Sequence, residues 1–491
     1  MQARSTKIST TRATNYCTRK LILHLAAVTL FVAAFVGTAR VSNAQGLSAV
    51  KTYTRANIDE WLRKNVDAKP DFKPGDVIGS KDLSRVRPFL PPGYVEFLDF
   101  PEFKAEITAT QDHTPRHDYT DCTEKHQNQV TLKADGSMEN YECGQPFPSQ
   151  GLSTDDPQSG LKAAWDFNWR WQNYGTAALN ITWTLSRFGG THVGPVPEMP
   201  PTAMMTIAAT GKLPTDTSEI YGGGGSFPRN LQSTYQRVYF THLAQESDKH
   251  GVLPVPDAKE FEFKDFIEFF EPFDFRGYAF IVYRYADPFR ADDAWGYIPT
   301  LRRVRRLTAE VRSDSVLGTD QTLDDFYTFS GRPVDWNWKF LGYRDVLAVA
   351  DSKYLYSHLT GPLGMVPNDA WSIRRVAVLE RTPKDPKQPY SSAVMFWDVE
   401  DWYPLYSFAF NRDGKLWRLQ QFNWKWSESY DGDWAQDNRG VHASVFQSNQ
   451  VFDVQNDRGT ILMGFGFCYP SITAQHVAKI FDVNKLEEVH R

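Results

Sequence analysis

The residues best suited to binding an anion are concentrated at 301–307, which contain the four arginines Arg302, Arg303, Arg305 and Arg306. Alternate side chains of a strand point to opposite faces, so a strand here would divide these arginines between its two faces. A buried guanidinium group needs a carboxylate partner. The nearest candidates in the sequence are Asp292, Asp293, Asp314 and Asp320. Two interpretations stay open: a salt-bridged strand at the rim of a sheet, and a docking patch for an anionic head group or an acidic partner.

Motifs of known catalytic centres are absent from the sequence. It has no Gly-x-Ser-x-Gly elbow, no His-Glu-x-x-His zinc motif and no Cys-x-x-Cys pair. The four glycines at 222–225 lack the Gly-Lys-Ser/Thr that a phosphate-binding loop requires. Adjacent acidic residues such as Asp292 and Asp293 would face opposite ways on a strand. We therefore predict no catalytic residue and no cofactor, and we do not expect an enzyme.

One histidine cluster, His113, His117 and His126 with Asp118, has ligand types that could hold a metal ion. The spacing of four residues from His113 to His117 suits a helix, but Pro115 between them opposes one. Histidines in a polar loop explain the pattern more simply, so no metal site is predicted.

The residues that precede the arginines predict strands with two apolar faces. Residues 278–285 and 294–298 alternate as strands do and are rich in β-branched and aromatic side chains. Because an antiparallel sheet usually has one face in water, two apolar faces need cover on both sides. We expect a helix that carries Trp165 and Trp169 to cover one face and a ligand cavity to lie against the other. The predicted ligand-binding residues are Phe280, Val282, Trp295 and Tyr297.

Strand patterns also recur in the rest of the chain. Thr54 is a candidate N-cap for a helix at 55–66, a second helix carries the Trp165 stripe, and a terminal helix is expected at 471–481. Further strands are predicted at 100–110, 179–188, 231–241, 261–270, 376–380, 393–399, 405–410 and 416–426. The predicted fold class is mainly β: a large twisted antiparallel sheet that forms an incomplete barrel, with peripheral helices.

The first 44 residues predict a cleaved signal peptide. Basic residues precede an apolar core at 21–36, and Ser42-Asn43-Ala44 supplies the small residues of a cleavage site. The apolar core is shorter than the ~20 residues that span a bilayer. Residues 45–491 would then form one periplasmic domain with an extended N-terminal segment.

Three cysteines follow this leader. Cys122 and Cys143 flank a hairpin pattern around Asp135-Gly136, and an oxidising compartment favours a disulfide between them. Cys468 has no base or cation near it in the sequence, so we predict a buried, inert thiol.

The charged and aromatic content of the chain argues against some binding partners and against disorder. Acidic residues outnumber basic ones by 59 to 54, which argues against a nucleic-acid partner and against non-specific adhesion to anionic lipid. Aromatic residues are 14% of the chain, too many for a disordered protein. This content suits a β-rich core with room for an apolar ligand.

The chain resembles the Gram-negative family called domain of unknown function 1329 in three strings: DDAWGYIPTLRRVRRL at 292–307, GTDQTLDDFYTFSG at 318–331 and WNWKFLG at 336–342. The resemblance extends from GLKAAWDFNWRW, which begins at residue 160, to the C-terminus. The family is similar to the outer-membrane lipoprotein-sorting proteins of the LolA/LolB type. It implies a periplasmic, incomplete β-barrel that holds a lipid-like ligand. It also implies partnership with an inner-membrane exporter of the resistance-nodulation-division type and with an outer-membrane protein.

Three functions are compatible with these patterns. The favoured one is a binding protein that shuttles a lipid or another hydrophobic molecule through the periplasm. The second is a hydrolase of hydrophobic esters, and the third is an assembly factor for outer-membrane proteins without a small ligand.

Overall fold

The computed structural model describes residues 48–148, 151–192, 219–221, 225–307, 312–355, 357–430, 438–469 and 471–486. The predicted signal peptide and three of the four glycines at 222–225 lie outside these ranges. Within them, every helix is too short or too polar to cross a bilayer.

Five α-helices lie wholly within the described ranges: α1 (Arg55–Lys64), α2 (Leu83–Val86), α3 (His117–His126), α4 (Ser159–Asn168) and α5 (Ala474–Ile480). The start of α1 is where the sequence predicts it. The backbone N–H of Thr54 donates to Asn57 Oδ1 at 2.9 Å, and the apolar stripe of Ile58, Trp61 and Leu62 is buried.

Twenty strands occur in the same ranges. In chain order they are β1 (Val77–Gly79), β2 (Lys104–Ile107), β3 (Thr131–Leu132), β4 (Met138–Glu139), β5 (Gly175–His192), β6 (Glu219–Tyr221), β7 (Gly225–Tyr239), β8 (Phe261–Glu271), β9 (Ala279–Tyr285), β10 (Asp293–Ile298), β11 (Arg303–Leu307), β12 (Trp336–Ala348), β13 (His358–Thr360), β14 (Val366–Pro367), β15 (Ala370–Pro383), β16 (Tyr390–Asp398), β17 (Pro404–Asn411), β18 (Leu416–Trp426), β19 (Ser444–Asp453) and β20 (Arg458–Cys468).

Fifteen of these strands form one open sheet. Fourteen of them follow the order β1-β2-β15-β16-β17-β18-β19-β20-β5-β7-β8-β9-β10-β11. The fifteenth, β12, pairs with β15 as a branch from this order. The small sheets β14-β13-β6 and β3-β4 hold the other strands. In the described residues no ladder joins β1 to β11, so the large sheet is not closed into a barrel.

The predicted fold class is confirmed, with one correction to the sheet. The fold is mainly β with peripheral helices, but β2 and β15 pair in parallel, so the large sheet is mixed. Hairpins impose antiparallel neighbours, and parallel neighbours need a long connection. Most of the chain separates β2 from β15, so no hairpin fixes their direction.

Three long strands, β12, β19 and β20, are missing from the sequence prediction, as are the short strands β1, β6, β13 and β14. In β19 the cause is a run of polar residues that are buried: Gln447, Ser448, Asn449 and Gln450 are at most 2% exposed. They are hydrogen-bonded, as where Asn423 Nδ2 of β18 donates to Ser448 Oγ at 2.7 Å. A search for apolar alternation cannot detect a strand whose buried positions are polar.

Different elements cover the two faces of β7, β8 and β9. On one face Tyr283 Oη donates to the carbonyl oxygen of Phe481, just beyond α5. On the other, Arg237 Nη2 donates to Ser330 Oγ at 3.0 Å. Ser330 belongs to residues 312–335, which we call the covering segment.

The helix that carries Trp165 contributes Trp165 and Trp169 to a buried cluster that also contains Ala279 and Ile281 of β9, and it packs on β12 as well. α4 lies on β12, where a Cβ added at Gly160 would be 2.6 Å from the backbone of Trp338 and Lys339. Trp169, at its C-terminus, contacts Tyr239 of β7, with ring centroids 6.5 Å apart. Phe481, just beyond α5, and the covering segment also contact β9, at Tyr283 and Arg284.

Candidate functional site

An apolar cavity lies between the large sheet and the covering segment. It comprises about 500 Å³, part of it open to solvent. One wall consists of side chains from β5, β7, β18, β19 and β20, and the other consists of side chains from residues 321–327. We call the sheet face that contributes to this wall the cavity face.

A single row of cross-strand neighbours forms the centre of the sheet wall. Phe422 of β18 lies opposite Asn449 of β19, Asn449 lies opposite Leu462 of β20, and Leu462 lies opposite Trp183 of β5. Directly opposite residues point to the same face of a sheet. Adjacent strands are ~4.8 Å apart, so the row extends over about 14 Å of the cavity face.

Two aromatic rings of the covering segment form the opposite wall. The ring centroid of Phe326 is 6.1 Å from that of Trp183 and 5.7 Å from that of Tyr235. Tyr327 stacks on Trp424, with centroids 6.1 Å apart and planes inclined by 10°. Aromatic pairs contribute ~0.5–1.5 kcal/mol beyond their buried area. These contacts hold the covering segment against the sheet while leaving the space between them apolar.

Buried ion pairs and hydrogen bonds fix the covering segment at both ends of these rings. Asp325 accepts from Tyr390 Oη at 2.5 Å and from Arg381 Nη2 at 2.7 Å. The carbonyl oxygen of Ser330 accepts from Arg284 Nη2 at 2.9 Å and from Arg312 Nη2 at 2.7 Å. The wall made by Phe326 and Tyr327 is therefore positioned by residues outside the cavity.

The backbone of the covering segment is strained beside the cavity. Tyr327 and Thr328 have φ angles of 54° and 66°. This left-handed region is rare for residues other than glycine, and a β-branched residue such as threonine is an outlier there. Such strain persists only where surrounding contacts impose it. Trp397 Nε1 supplies one such contact, a hydrogen bond of 2.9 Å to Thr328 Oγ1.

Polar side chains interrupt the apolar lining at Thr176, Gln321 and Asn449. Gln321 is 1% exposed, and its Oε1 has no hydrogen-bond partner among the described residues. Burial raises the pKa of Tyr327 to about 12, so its phenol stays neutral at physiological pH. The lining thus carries no ionised side chain near neutral pH. It suits a largely apolar molecule with few polar atoms.

The strand register divides the four predicted ligand-binding residues between two sheet faces. β9 and β10 pair with Phe280 opposite Gly296, so Phe280 and Val282 share one face, and Trp295 and Tyr297 point to the other. These four side chains cannot line one cavity together. The prediction combined alternate positions of two strands without the register between them, which alternation within each strand does not reveal.

Two of the four residues do lie on the cavity face. Ile267 of β8 is opposite both Tyr235 of β7 and Phe280 of β9, so Phe280 shares a face with the cavity residue Tyr235. It is two strands away and outside the cavity lining. Trp295 packs instead on Tyr283, with centroids 4.9 Å apart. A ligand contact by any of the four stays a prediction.

The four arginines lie on and beside the edge strand β11, away from the cavity. All are exposed: Arg302, Arg303, Arg305 and Arg306. Arg306 pairs with Asp293. Asp292 pairs instead with the buried Arg284 at 2.6 Å and with Arg312 at 2.9 Å. Of the predicted acidic partners, Asp293 pairs with one of these arginines, and the docking role of the group stays a prediction.

The cysteine assignment is confirmed. Cys122 and Cys143 form a disulfide, and Cys468 is free and buried. Burial raises the pKa of Cys468 to about 12, which keeps it in the unreactive thiol form. The side chain of His126 lies beside the two half-cystines, but their sulfurs are bonded to each other and are not available as metal ligands.

The three histidines considered as metal ligands occupy different environments. His113 is buried, with Nδ1 3.4 Å from Asp401 Oδ2. The imidazole of His117 is 78% exposed, whereas His126 Nε2 is 3.7 Å from Glu142. α3 begins at His117, after Pro115, in agreement with the expectation that the proline prevents a helix across this spacing.

Sequence reasoning missed the residues that line the cavity. They come from five strands and one loop, and no local motif connects them. One signal was available: GTDQTLDDFYTFSG places Asp325, which holds the covering segment, directly before the rings of Phe326 and Tyr327. From the sequence alone this string indicated the family resemblance but not the wall of a cavity.

A family model described as "Protein of unknown function (DUF1329)" matches residues 77–196 and 224–466 of the chain. These two ranges contain every residue that lines the cavity and also the disulfide. No curated protein matches the chain.

Three solved structures are similar to parts of the chain. An outer membrane lipoprotein-sorting protein domain from Vibrio parahaemolyticus is 16% identical, covers 68% of this chain and all of its own, and has a TM-score of 0.41. A DUF1329 family protein from Desulfovibrio piger is 15% identical, with 67% and 99% covered and a TM-score of 0.42. A LolA superfamily protein from Nitrosomonas europaea is 12% identical, with 65% and 96% covered and a TM-score of 0.32.

Proposed function

This chain belongs to the DUF1329 family, and we propose that it binds a lipid or another hydrophobic molecule in the apolar cavity and carries it through the periplasm. The cavity itself supports the proposal most directly. Its walls are mainly rings and aliphatic side chains from distant parts of the chain, and its lining is uncharged. A small molecule in such a site is held by burial of its apolar surface, and a few polar groups fix its orientation.

Two observations support a periplasmic location. The predicted signal peptide would export the chain, although residues 1–44 lie outside the described ranges. The Cys122–Cys143 disulfide is typical of an oxidising compartment. The mature protein would be residues 45–491, a single carrier domain with an extended N-terminal segment.

The proposal includes envelope partners. An inner-membrane exporter of the resistance-nodulation-division type would deliver or receive the ligand, together with an outer-membrane protein. The exposed arginines of β11 support a docking role, because a row of guanidinium groups on a sheet edge favours an acidic surface. Replacing all four with glutamine is expected to weaken such docking without changing ligand binding.

Extraction of the purified protein tests the proposed ligand. Organic solvent should release a hydrophobic compound that mass spectrometry detects at a near-stoichiometric amount. The variant Ala178→Phe places a ring in the cavity and should retain at least about tenfold less of it, a loss of ~1.4 kcal/mol or more in binding free energy. Val66→Phe, at an exposed position away from the cavity, is the matched control.

The outcomes separate the three functions. Absence of both an extracted compound and any binding of a hydrophobic fluorescent probe would refute the carrier and favour the assembly factor. Turnover of a panel of hydrophobic esters by the wild-type protein would favour the hydrolase.

A further inference from the structure

Seven arginines in the described residues are less than 10% exposed. Six of them have a carboxylate oxygen at 3.7 Å or closer: Arg237, Arg284, Arg312, Arg374, Arg381 and Arg418. The seventh, Arg170, is 6% exposed and forms no ion pair within the described residues. Because a buried cation is unfavourable without an anion, Arg170 is the exception that needs an explanation.

The contacts of Arg170 use only part of its guanidinium group. Nη1 donates to the carbonyl oxygen of Phe167 at 2.8 Å. The group lies over the rings of Phe167, Tyr327 and Tyr403, at 4.3, 4.9 and 5.3 Å from their centroids. Nε and Nη2 have no hydrogen-bond partner among the described residues.

These two nitrogens form the edge of arginine that binds a carboxylate side-on. Elsewhere in this protein the same edge is occupied: Arg237 donates from Nε and Nη2 to the two oxygens of Asp265 at 2.6 and 2.7 Å. Arg284 binds Asp292 in the same way, at 2.6 and 2.9 Å. None of the described residues supplies the matching carboxylate to Arg170.

Arg170 lines a second cavity of about 310 Å³, a volume that includes space open to solvent. Gln172 and Asn173 also line it and are 3% and 4% exposed. Gln172 Nε2 donates to Tyr239 Oη at 2.7 Å, and Asn173 Nδ2 donates to the carbonyl oxygen of Tyr469 at 2.6 Å. The carbonyl oxygen of each amide, an acceptor, has no partner among the described residues. The unused donors in this lining include Nε and Nη2 of Arg170 and Nε1 of Trp169.

The charge of this second cavity comes from Arg170. His242 also lines it, and burial lowers the pKa of His242 to about 4, so its imidazole is neutral at physiological pH. The other lining residues are uncharged at that pH. One guanidinium matches one negative charge. A carboxylate fits better than a phosphate monoester, which carries about −1.5 to −2 at neutral pH.

The two cavities are neighbours on the cavity face. Tyr235 lines the apolar cavity and Tyr239 the polar one, four residues apart on β7 and therefore ~13 Å apart on one face. Asn173 and Thr176, one from each lining, are at most ~11 Å apart along the chain. Tyr327 forms part of the apolar lining and carries Arg170 on its ring.

We propose that the cavity at Arg170 binds a carboxylate, held side-on by Nε and Nη2 of the arginine. The favoured source is the head group of an amphiphile whose tail enters the apolar cavity, and in that form the inference rests on the proposed function. A short free carboxylate presents the same chemistry to Arg170.

Binding measurements on the delipidated full-length protein test this assignment. Hexadecanoate should bind at least about tenfold more tightly than hexadecan-1-ol, because a buried charge-assisted pair forms only with the acid. Arg170→Gln should reduce this preference to about threefold or less while leaving the alcohol's affinity unchanged. Arg170→Lys, which keeps the charge without the fork, should give an intermediate preference.

The matched control is Arg302→Gln, which removes one exposed positive charge and should retain the wild-type preference. Unchanged binding of the alcohol by Arg170→Gln would show that this variant is folded. Equal affinity of the acid and the alcohol for the wild type, or a preference that survives in Arg170→Gln, would overturn the inference.

Butyrate distinguishes this inference from the proposed function. If butyrate binds in an Arg170-dependent way and neither long-chain ligand binds, the carboxylate site stands and the carrier proposal fails. If only the long-chain acid shows the Arg170 dependence, the head-group source is supported. Ala178→Phe should weaken both long-chain ligands and leave butyrate unchanged, because Ala178 lines only the apolar cavity.

Discussion

Arg237 and Arg170 occupy similar apolar surroundings but have opposite partners. Both are buried, and each lies over a phenylalanine ring: Arg237 at 3.8 Å from the centroid of Phe263, and Arg170 at 4.3 Å from that of Phe167. Arg237 is held side-on by Asp265, whereas the same edge of Arg170 is unpaired among the described residues. Aromatic contacts can therefore bury an arginine in this protein. An arginine that also has a carboxylate partner stabilises the fold, whereas one without such a partner is available to a ligand.

The sharpest test of this difference is the same substitution at both positions. Arg237→Met leaves Asp265 buried without its partner and should lower the free energy of unfolding by ~3–5 kcal/mol. Arg170→Met leaves no carboxylate of the described residues without a partner. It should change the free energy of unfolding by less than about 1.5 kcal/mol. Denaturant unfolding monitored by tryptophan fluorescence measures both. Similar losses in the two variants would contradict the comparison.

The disulfide provides a second test, because it ties together the surroundings of the Arg170 cavity. Cys122 and Cys143 lie in one buried cluster with Tyr119 and Trp171, which line that cavity. The bond closes a loop with a sequence separation of 21, worth ~3 kcal/mol in the chain-entropy model. The Cys122→Ser/Cys143→Ser double variant should lose about that much stability. Cys468→Ser, which breaks no bond, serves as its control.

A pH dependence of stability gives the smallest expected effect. His242 has a pKa of about 4 in the folded protein, below its ordinary value of 6.5, because burial disfavours the imidazolium. Below pH ~6.5 the unfolded chain binds a proton that the folded protein does not, so stability falls with pH towards about 4. The expected loss between about pH 7 and pH 5.5 is ~1 kcal/mol.

The variant His242→Gln should lack this component of the pH dependence. His117→Gln, at an exposed imidazole, should retain it. Parallel pH profiles for the wild type and His242→Gln would show that the pKa of His242 is not lowered in the folded protein. Arg170 would then not be the only lining residue able to carry a charge in its cavity.

Local patterns in the sequence anticipated the elements but only part of their arrangement. Period-2 alternation located β8, β9 and β10 nearly to the residue, and Thr54 marked the start of α1, because both signals act between residues close in the chain. The buried polar strand β19 escaped detection, since its side chains are satisfied by hydrogen bonds to β18 that the sequence does not display.

By itself the sequence determined the fold class, the family, the paired cysteines and the strands on either side of the arginines. Only the tertiary structure decided which residues line a cavity and which arginine lacks an acid. The reason is physical: a shift of one residue in register moves a strand's whole set of side chains to the opposite face. Register and long-range pairing therefore separated Phe280 from Trp295, gave Asp265 to Arg237 and left Arg170 without a carboxylate among the described residues.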